Sequence, residues 1–129
     1  MIPPRKSPKT REEKIIEKGD KLYPQLRYGR CCIPCLIKYK VRPSTEIHHI
    51  IRRANPITRF ELLNLLPVCA ECHAKIHAGK LHEPISEEQR DWLTQLSNKS
   101  LKGICIARGI TREEYFEEQL KRIKEQILI

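Results

Sequence analysis

Short apolar bursts, broken by Pro, Gly and capping residues, run along this chain, and no single period governs it. Thr10-Arg11-Glu12-Glu13 reads as a capping box, with Thr10 at the N-cap and Glu13 reaching back. A helix through Ile15 and Ile16 should follow and end near Lys18, where Gly19 can close it. Tyr23-Pro24 interrupts any continuation. Residues 30–45, with Pro34, Pro43 and a cluster of Cys, predict loop with short extended pieces. Glu46–Ile51 predicts a short strand, and residues 52–61 a basic loop that turns at Asn55-Pro56. Leu65–Val68 predicts a second extended piece, and Ala70–Ala78 a helix closed by Gly79. The order is strand, loop, strand, helix.

The C-terminal part reads differently. Ser86-Glu87-Glu88-Gln89 is a second capping box, opening a helix with Trp92, Leu93 and Leu96 on one side. Residues 97–100, SNKS, break it. Thr111-Arg112-Glu113-Glu114 is a third box, and Tyr115, Phe116, Leu120, Ile123 and Ile127 recur at helical spacing behind it. That apolar face has to pack on the rest of the chain or on a partner. Residues 101–118, with Gly109 in the turn, hint at a helix-turn-helix, but packing helices account for the pattern more simply. Three segments result: a mobile basic arm at 1–9, a domain at 10–82, and a helical extension at 83–129.

Composition adds a constraint. Of 129 residues 40% are apolar but only 5% aromatic, so the core is lean. Lean cores of this size often carry a metal or disulfide staple. The net charge is +9, and it is uneven: residues 1–80 hold 17 Lys+Arg against 7 Asp+Glu, while residues 81–129 hold 8 against 9. A basic excess confined to one part is the footprint of a phosphate-rich partner. No apolar run approaches the roughly 18 residues of a membrane span. The first residues, MIPPRKSPKTREEK, contain no apolar stretch of the secretory type, so a cytoplasmic setting is expected. There structural disulfides are rare, and six Cys point to metal binding.

Cys32-x2-Cys35 and Cys69-x2-Cys72 are two knuckles of the kind that closes a tetrahedral, structural zinc site. Cys31 leaves the register open, since Cys31-x3-Cys35 is also possible, although the x2 spacing matches the second knuckle. Cys105 reads as a small core residue. A two-Cys, two-His finger from Cys69, Cys72, His73 and His77 fails, because it needs about 12 residues between its Cys and His pairs. His73 and His77 are i and i+4 on the predicted helix and can grip one ion. His48 and His49 are consecutive in a strand and point to opposite faces. One helix can therefore offer Cys72 to a structural zinc on one side and His73 with His77 to a second ion on another. His82 reads as an ordinary polar residue.

The pair His48-His49 in EIHHI, Asn64 in LLNLLP and the helix CAECHAKIH with His73 and His77 together resemble the HNH endonuclease family, the His-Me finger or ββα-metal nucleases. The CxxC pairs resemble its zinc-stapled branch, and the likeness covers about residues 31–80. It implies an α+β fold: a small ββα-metal core stapled by a four-cysteine zinc site, flanked by N- and C-terminal helices. It implies His49 as the general base that activates water, and His48, His73 and His77 as ligands of a catalytic ion. Asn64 resembles the family's central Asn, which braces the loop and orients the base, or in members with other ligands lies near the metal. Neutral His, titrating near about 6.5, suits the base role.

His48 stands where some members have Asp, and three imidazoles favour Zn, Ni, Co or Mn over Mg. Arg52, Arg53, Arg59 and Lys75 are the expected phosphate contacts. The resemblance implies a DNA endonuclease of bacterial or phage setting, acting on DNA taken as double-stranded, with a homodimer through the C-terminal helices as one option. The alternatives are a non-catalytic zinc-stapled nucleic-acid-binding module, and a small interaction protein built on the tail helices.

Overall fold

A computed structural model describes residues 7–127. Most of the expected arm therefore lies outside the described residues, and residues 7–9 carry no regular structure. The chain runs α1 (Arg11–Asp20), α2 (Tyr23–Arg27), α3 (Ile33–Ile37), β1 (Glu46–His49), a 3₁₀ turn (Leu62–Asn64), β2 (Leu65–Val68), α4 (Ala70–His77), α5 (Glu87–Ser97), α6 (Leu101–Arg108) and α7 (Arg112–Ile127). It is a small α+β structure: a two-stranded antiparallel sheet flanked by N- and C-terminal helices.

Capping chemistry sets the helix starts. Thr10 Oγ1, Ser86 Oγ and Ser100 Oγ each accept an N–H of the first turn of their helix. Thr111 forms the full reciprocal box: its Oγ1 accepts from Glu114 N at 3.1 Å, and its N–H donates to Glu114 Oε1 at 3.3 Å. Gln89 departs from the box and instead donates Nε2–H to the Leu63 carbonyl at 2.7 Å, tying α5 to the 3₁₀ turn.

Three expectations need correction. First, residues 30–45 are not all loop and extended chain, because α3 forms across Ile33–Ile37 with Pro34 in its first turn. A proline there forfeits only an N–H that has no helical partner anyway. The extended piece shrinks to a single bridge between Cys31 and Pro43. Second, α1 does stop short of Tyr23-Pro24, at Asp20, but a separate short helix, α2, starts there with Pro24 in its first turn. Third, Gly19 does not close α1. It lies inside the helix, where a Cβ would sit 2.5 Å from Phe60 Cε1 and 2.8 Å from Leu120 Cδ2. Close approach, not a left-handed cap, is what that glycine serves.

The main core joins both ends of the chain. Ile15, Leu22 and Leu26 pack with Ile57, Phe60 and Leu65 and with Leu101, Phe116, Leu120 and Ile123. The apolar face of α7 is thus covered within the chain. Helix α6, Gly109 in the left-handed region (φ +67°) and α7 form a packing pair that buries Leu101, Cys105, Tyr115 and Phe116. A second, smaller cluster gathers Cys32, Cys35, Leu66, Val68 and Cys72. No helix among the described residues is long and apolar enough to cross a membrane.

Candidate active site

The site is built on the hairpin and α4. β1 and β2 pair with Glu46 opposite Val68, Ile47 opposite Pro67, His48 opposite Leu66 and His49 opposite Leu65. The period-two alternation puts His48 inside, at 5% exposure, and turns His49 to the other face. Between them the chain makes the loop 50–61, and Asn64 holds it. Asn64 is fully buried; its Oδ1 accepts from Ile51 N at 2.6 Å, and its Nδ2 donates to the carbonyls of Ile51 (3.1 Å) and Thr58 (3.0 Å). These three bonds tie Asn64 to both ends of the stretch 51–58. From the other side α7 fastens the same loop, with Tyr115 Oη and Gln119 Nε2 both donating to the Ile57 carbonyl at 2.7 and 3.0 Å.

Helix α4 joins two clusters. At its start Cys69 and Cys72 meet Cys32 and Cys35, with all four sulfurs within 4.8 Å of one another. Cys35 Sγ is 3.9 Å from Cys69 Sγ and 3.5 Å from Cys72 Sγ. Four sulfurs placed tetrahedrally about one ion at ~2.3 Å are about 3.8 Å apart, so the thiols fit a four-coordinate ion. Burial pushes the Cys35 and Cys72 thiols up. It pushes against Cys69 as well, but the Cys72 N–H and the neighbouring thiols outweigh it and bring Cys69 down to about 7. Cys31 stands outside this cluster, which settles the register in favour of Cys32, and Cys105 lies in the main core.

One helical step beyond Cys72, His73 and His77 converge with His48, their ligand atoms likewise within 4.8 Å. The Nε2 atoms of His73 and His77 are 3.0 Å apart. Two nitrogens about 2.1 Å from a shared ion and at right angles have that separation. The Nδ1 atom of His48 is buried and finds no hydrogen-bond partner among the described residues, which suits a metal ligand. Each cluster can hold one metal ion.

A cleft of about 520 Å³ opens over the triad and continues past His49, Arg52, Arg53 and Tyr23. Tyr23 was not evident in the sequence as a site residue. Its ring lies edge-on to His49 at 5.1 Å and stacks on Phe60 at 5.8 Å. Its hydroxyl bonds the Arg59 carbonyl at 2.9 Å and His49 Nε2 at 3.1 Å. Burial, reinforced by Asp20, pushes the phenol well above its usual range, so it stays protonated. A hydroxyl has one proton and a carbonyl can only accept. The proton therefore goes to Arg59, and His49 Nε2 must itself be the N–H donor. In the neutral ring this leaves Nδ1 bare. Burial, aided by the Arg53 charge and opposed by the Arg59 carbonyl, holds His49 down to about 4, so the ring is neutral near pH 7.

Of the four expected phosphate contacts, Arg52 and Arg53 line the cleft and Arg59 and Lys75 do not. Arg59 is held at 2.8–2.9 Å by both carboxylate oxygens of Asp20 and stacks over Phe60. Asp20 also reaches Arg53 at 3.0 Å. Lys75 pairs with Glu71 and lines a separate recess beside the cysteines with Lys38, Lys40 and Arg42.

No curated protein and no solved structure matches the chain. Residues 32–79 match the model of the family described as HNH endonuclease. The match takes in less than half of the chain, and both clusters, Asn64 and His49 fall inside it. Residues 32–79 are thus an HNH endonuclease domain with a clustered four-cysteine site.

Proposed function

We propose that the protein is a metal-dependent endonuclease that hydrolyses DNA phosphodiester bonds, with His49 as general base. The observation that carries this reading is the state of His49: neutral, its Nε2–H committed to Tyr23, and its ring on a cleft shared with the histidine triad. Nδ1 takes a proton from water as the water attacks phosphorus. Tyr23 and the Arg59 carbonyl keep the ring in place while it becomes charged, and Asn64 keeps that carbonyl's loop in place. Arg52 and Arg53 hold the phosphates flanking the cut. His48, His73 and His77 would hold a divalent ion, which would supply charge stabilisation to the transition state of the hydrolysis. Imidazole ligands favour Mn, Ni, Co or Zn over Mg for that position, and four thiolates favour zinc at the cysteines. The basic excess in residues 1–80 suits a duplex DNA partner.

The test is nicking of supercoiled plasmid by protein stripped at the histidine site and reloaded with Mn, Ni, Co, Mg or Zn, beside His49→Ala. Wild type should nick in a metal-dependent way. His49→Ala should lose about 10²–10⁴-fold in rate and keep its DNA affinity, since general-base catalysis is worth about that much. DNA binding without nicking by wild type under every metal would overturn the reading and leave a binding module.

A further inference from the structure

Glu83 lies outside the HNH segment. Its side chain is only 14% exposed, and its two oxygens serve two partners. Oε2 lies 2.5 Å from His48 Nε2, and Oε1 accepts from Arg90 Nη1 of α5 at 2.7 Å. An ionised carboxylate can only accept, so His48 Nε2 carries the proton in this pair. A neutral imidazole carries its proton on one nitrogen and leaves the other bare. That nitrogen is Nδ1, the buried atom for which the described residues offer no partner.

Glu83 is not among the groups that converge with His73 and His77, nor does it line the cleft. It meets the His48 ring at Nε2, the nitrogen opposite the orphaned Nδ1. His73 repeats the arrangement from the other direction. Its Nδ1 meets Glu46 Oε2 at 2.7 Å, and its Nε2 faces His77. A carboxylate behind an imidazole fixes which nitrogen is bare, fixes the ring plane and raises ligand basicity.

We infer that Glu83, anchored by Arg90, is a positioning residue of the histidine site: it holds His48 in the Nε2–H form and aims bare Nδ1 at the ion shared with His73 and His77. The inference rests on the reading of His48, His73 and His77 as one metal site. It extends that site beyond the HNH segment into the C-terminal helices, whose α5 supplies Arg90.

The test uses full-length protein with its cysteine site filled with zinc and its histidine site stripped. Mn²⁺ is titrated calorimetrically into wild type, Glu83→Gln, Glu83→Ala, Arg90→Ala and a His73→Ala/His77→Ala reference. The ¹⁵N signals of the His48 ring are recorded without Mn²⁺. Glu83→Ala should weaken Mn²⁺ binding by about 10–100-fold, the usual loss when such a partner is removed. Glu83→Gln should lose less, because its amide oxygen still accepts from Nε2–H. The wild-type ring should show a bare Nδ1, and Glu83→Ala should move that signal toward the protonated form. Wild-type affinity in Glu83→Ala, or a protonated Nδ1 in wild type, would overturn the inference and leave the triad standing. Absence of any Mn²⁺ binding by wild type that the double variant abolishes would overturn both. The wild-type tautomer needs no variant, so a Glu83→Ala protein that fails to fold does not shield the inference.

Discussion

Asn64→Ala should unlock the loop 50–61 while leaving the cysteine cluster filled. The side chain is fully buried and makes three bonds, of 2.6, 3.1 and 3.0 Å. Alanine orphans the Ile51 N–H and the Ile51 carbonyl, while the Thr58 carbonyl keeps the Glu61 N–H as its remaining donor. Each buried group left unpaired costs about 1–3 kcal/mol, and water entering the vacated space recovers part of that. A net loss of about 3 kcal/mol follows, which lowers Tm by roughly 10 °C at this chain length. Asn64→Asp keeps an acceptor for Ile51 N but sets a carboxylate against two carbonyls, so it should do at least as much damage. Calorimetry measures the melting shift, and plasmid nicking is compared well below both transitions. There Asn64→Ala should still bind DNA but nick slowly, because the Arg59 carbonyl that orients Tyr23 and His49 sits on the loosened loop. A Tm within about 2 °C of wild type, or an unchanged nicking rate, would refute the assignment of Asn64 as brace.

Other perturbations test other parts. Gly19→Ala should destabilise, although alanine is worth about 1 kcal/mol over glycine in a helix, because Phe60 is fully buried and cannot move away from a new Cβ. Overpacking of this kind costs about 1–3 kcal/mol, and a raised urea midpoint would contradict it. Tyr23→Phe should reduce kcat about fivefold with KM unchanged, the worth of one hydrogen bond of ~1 kcal/mol; an effect on KM alone would speak against orientation of His49. The Arg112–Glu12 pair links α7 to α1, and the Arg112 hydrogen bonds hold Glu12 below its ordinary 4.5. The pair's stabilisation is therefore present above about pH 4.5 and lost as pH falls through the lowered value. It is under about 1 kcal/mol for so exposed a pair, so the small Tm gap between wild type and Glu12→Gln should close in acid; a gap that widens there has the wrong sign. Cys35→Ser should release the cysteine-bound ion, measured by elemental analysis, and unfold α3 and the start of α4; full retention of the ion would remove Cys35 from the ligand set.

Local signals carried most of the fold. The three Ser/Thr caps and Gly79 marked helix ends, and the alternation through Glu46–His49 put His48 and His49 on opposite faces before any coordinates. The spacing of Cys32, Cys35, Cys69, Cys72, His73 and His77 was enough to sort them into two clusters. Three features were not readable, for a common reason. Gly19 is dictated by Phe60 and Leu120, Tyr23 by His49 and Arg59, and Glu83 by His48 and Arg90. Each depends on a partner distant in sequence that leaves no local pattern. The α3 turn escapes the sequence pattern because Pro34 reads as a breaker, although a first-turn proline is compatible with a helix. Arg59 was indistinguishable in sequence from Arg52 and Arg53, and only the bidentate grip of Asp20 sets it apart.

Helix α4 begins with cysteines and ends with histidines, with Cys72 and His73 adjacent. One residue inserted between them would swing every imidazole beyond it by about 100° around the helix axis and away from His48. A deletion would do the same in the opposite sense. Over evolutionary time, then, this stretch should tolerate changes of residue type but not of length. Insertions and losses should collect outside α4, where extra chain leaves the angular phase between the two clusters untouched.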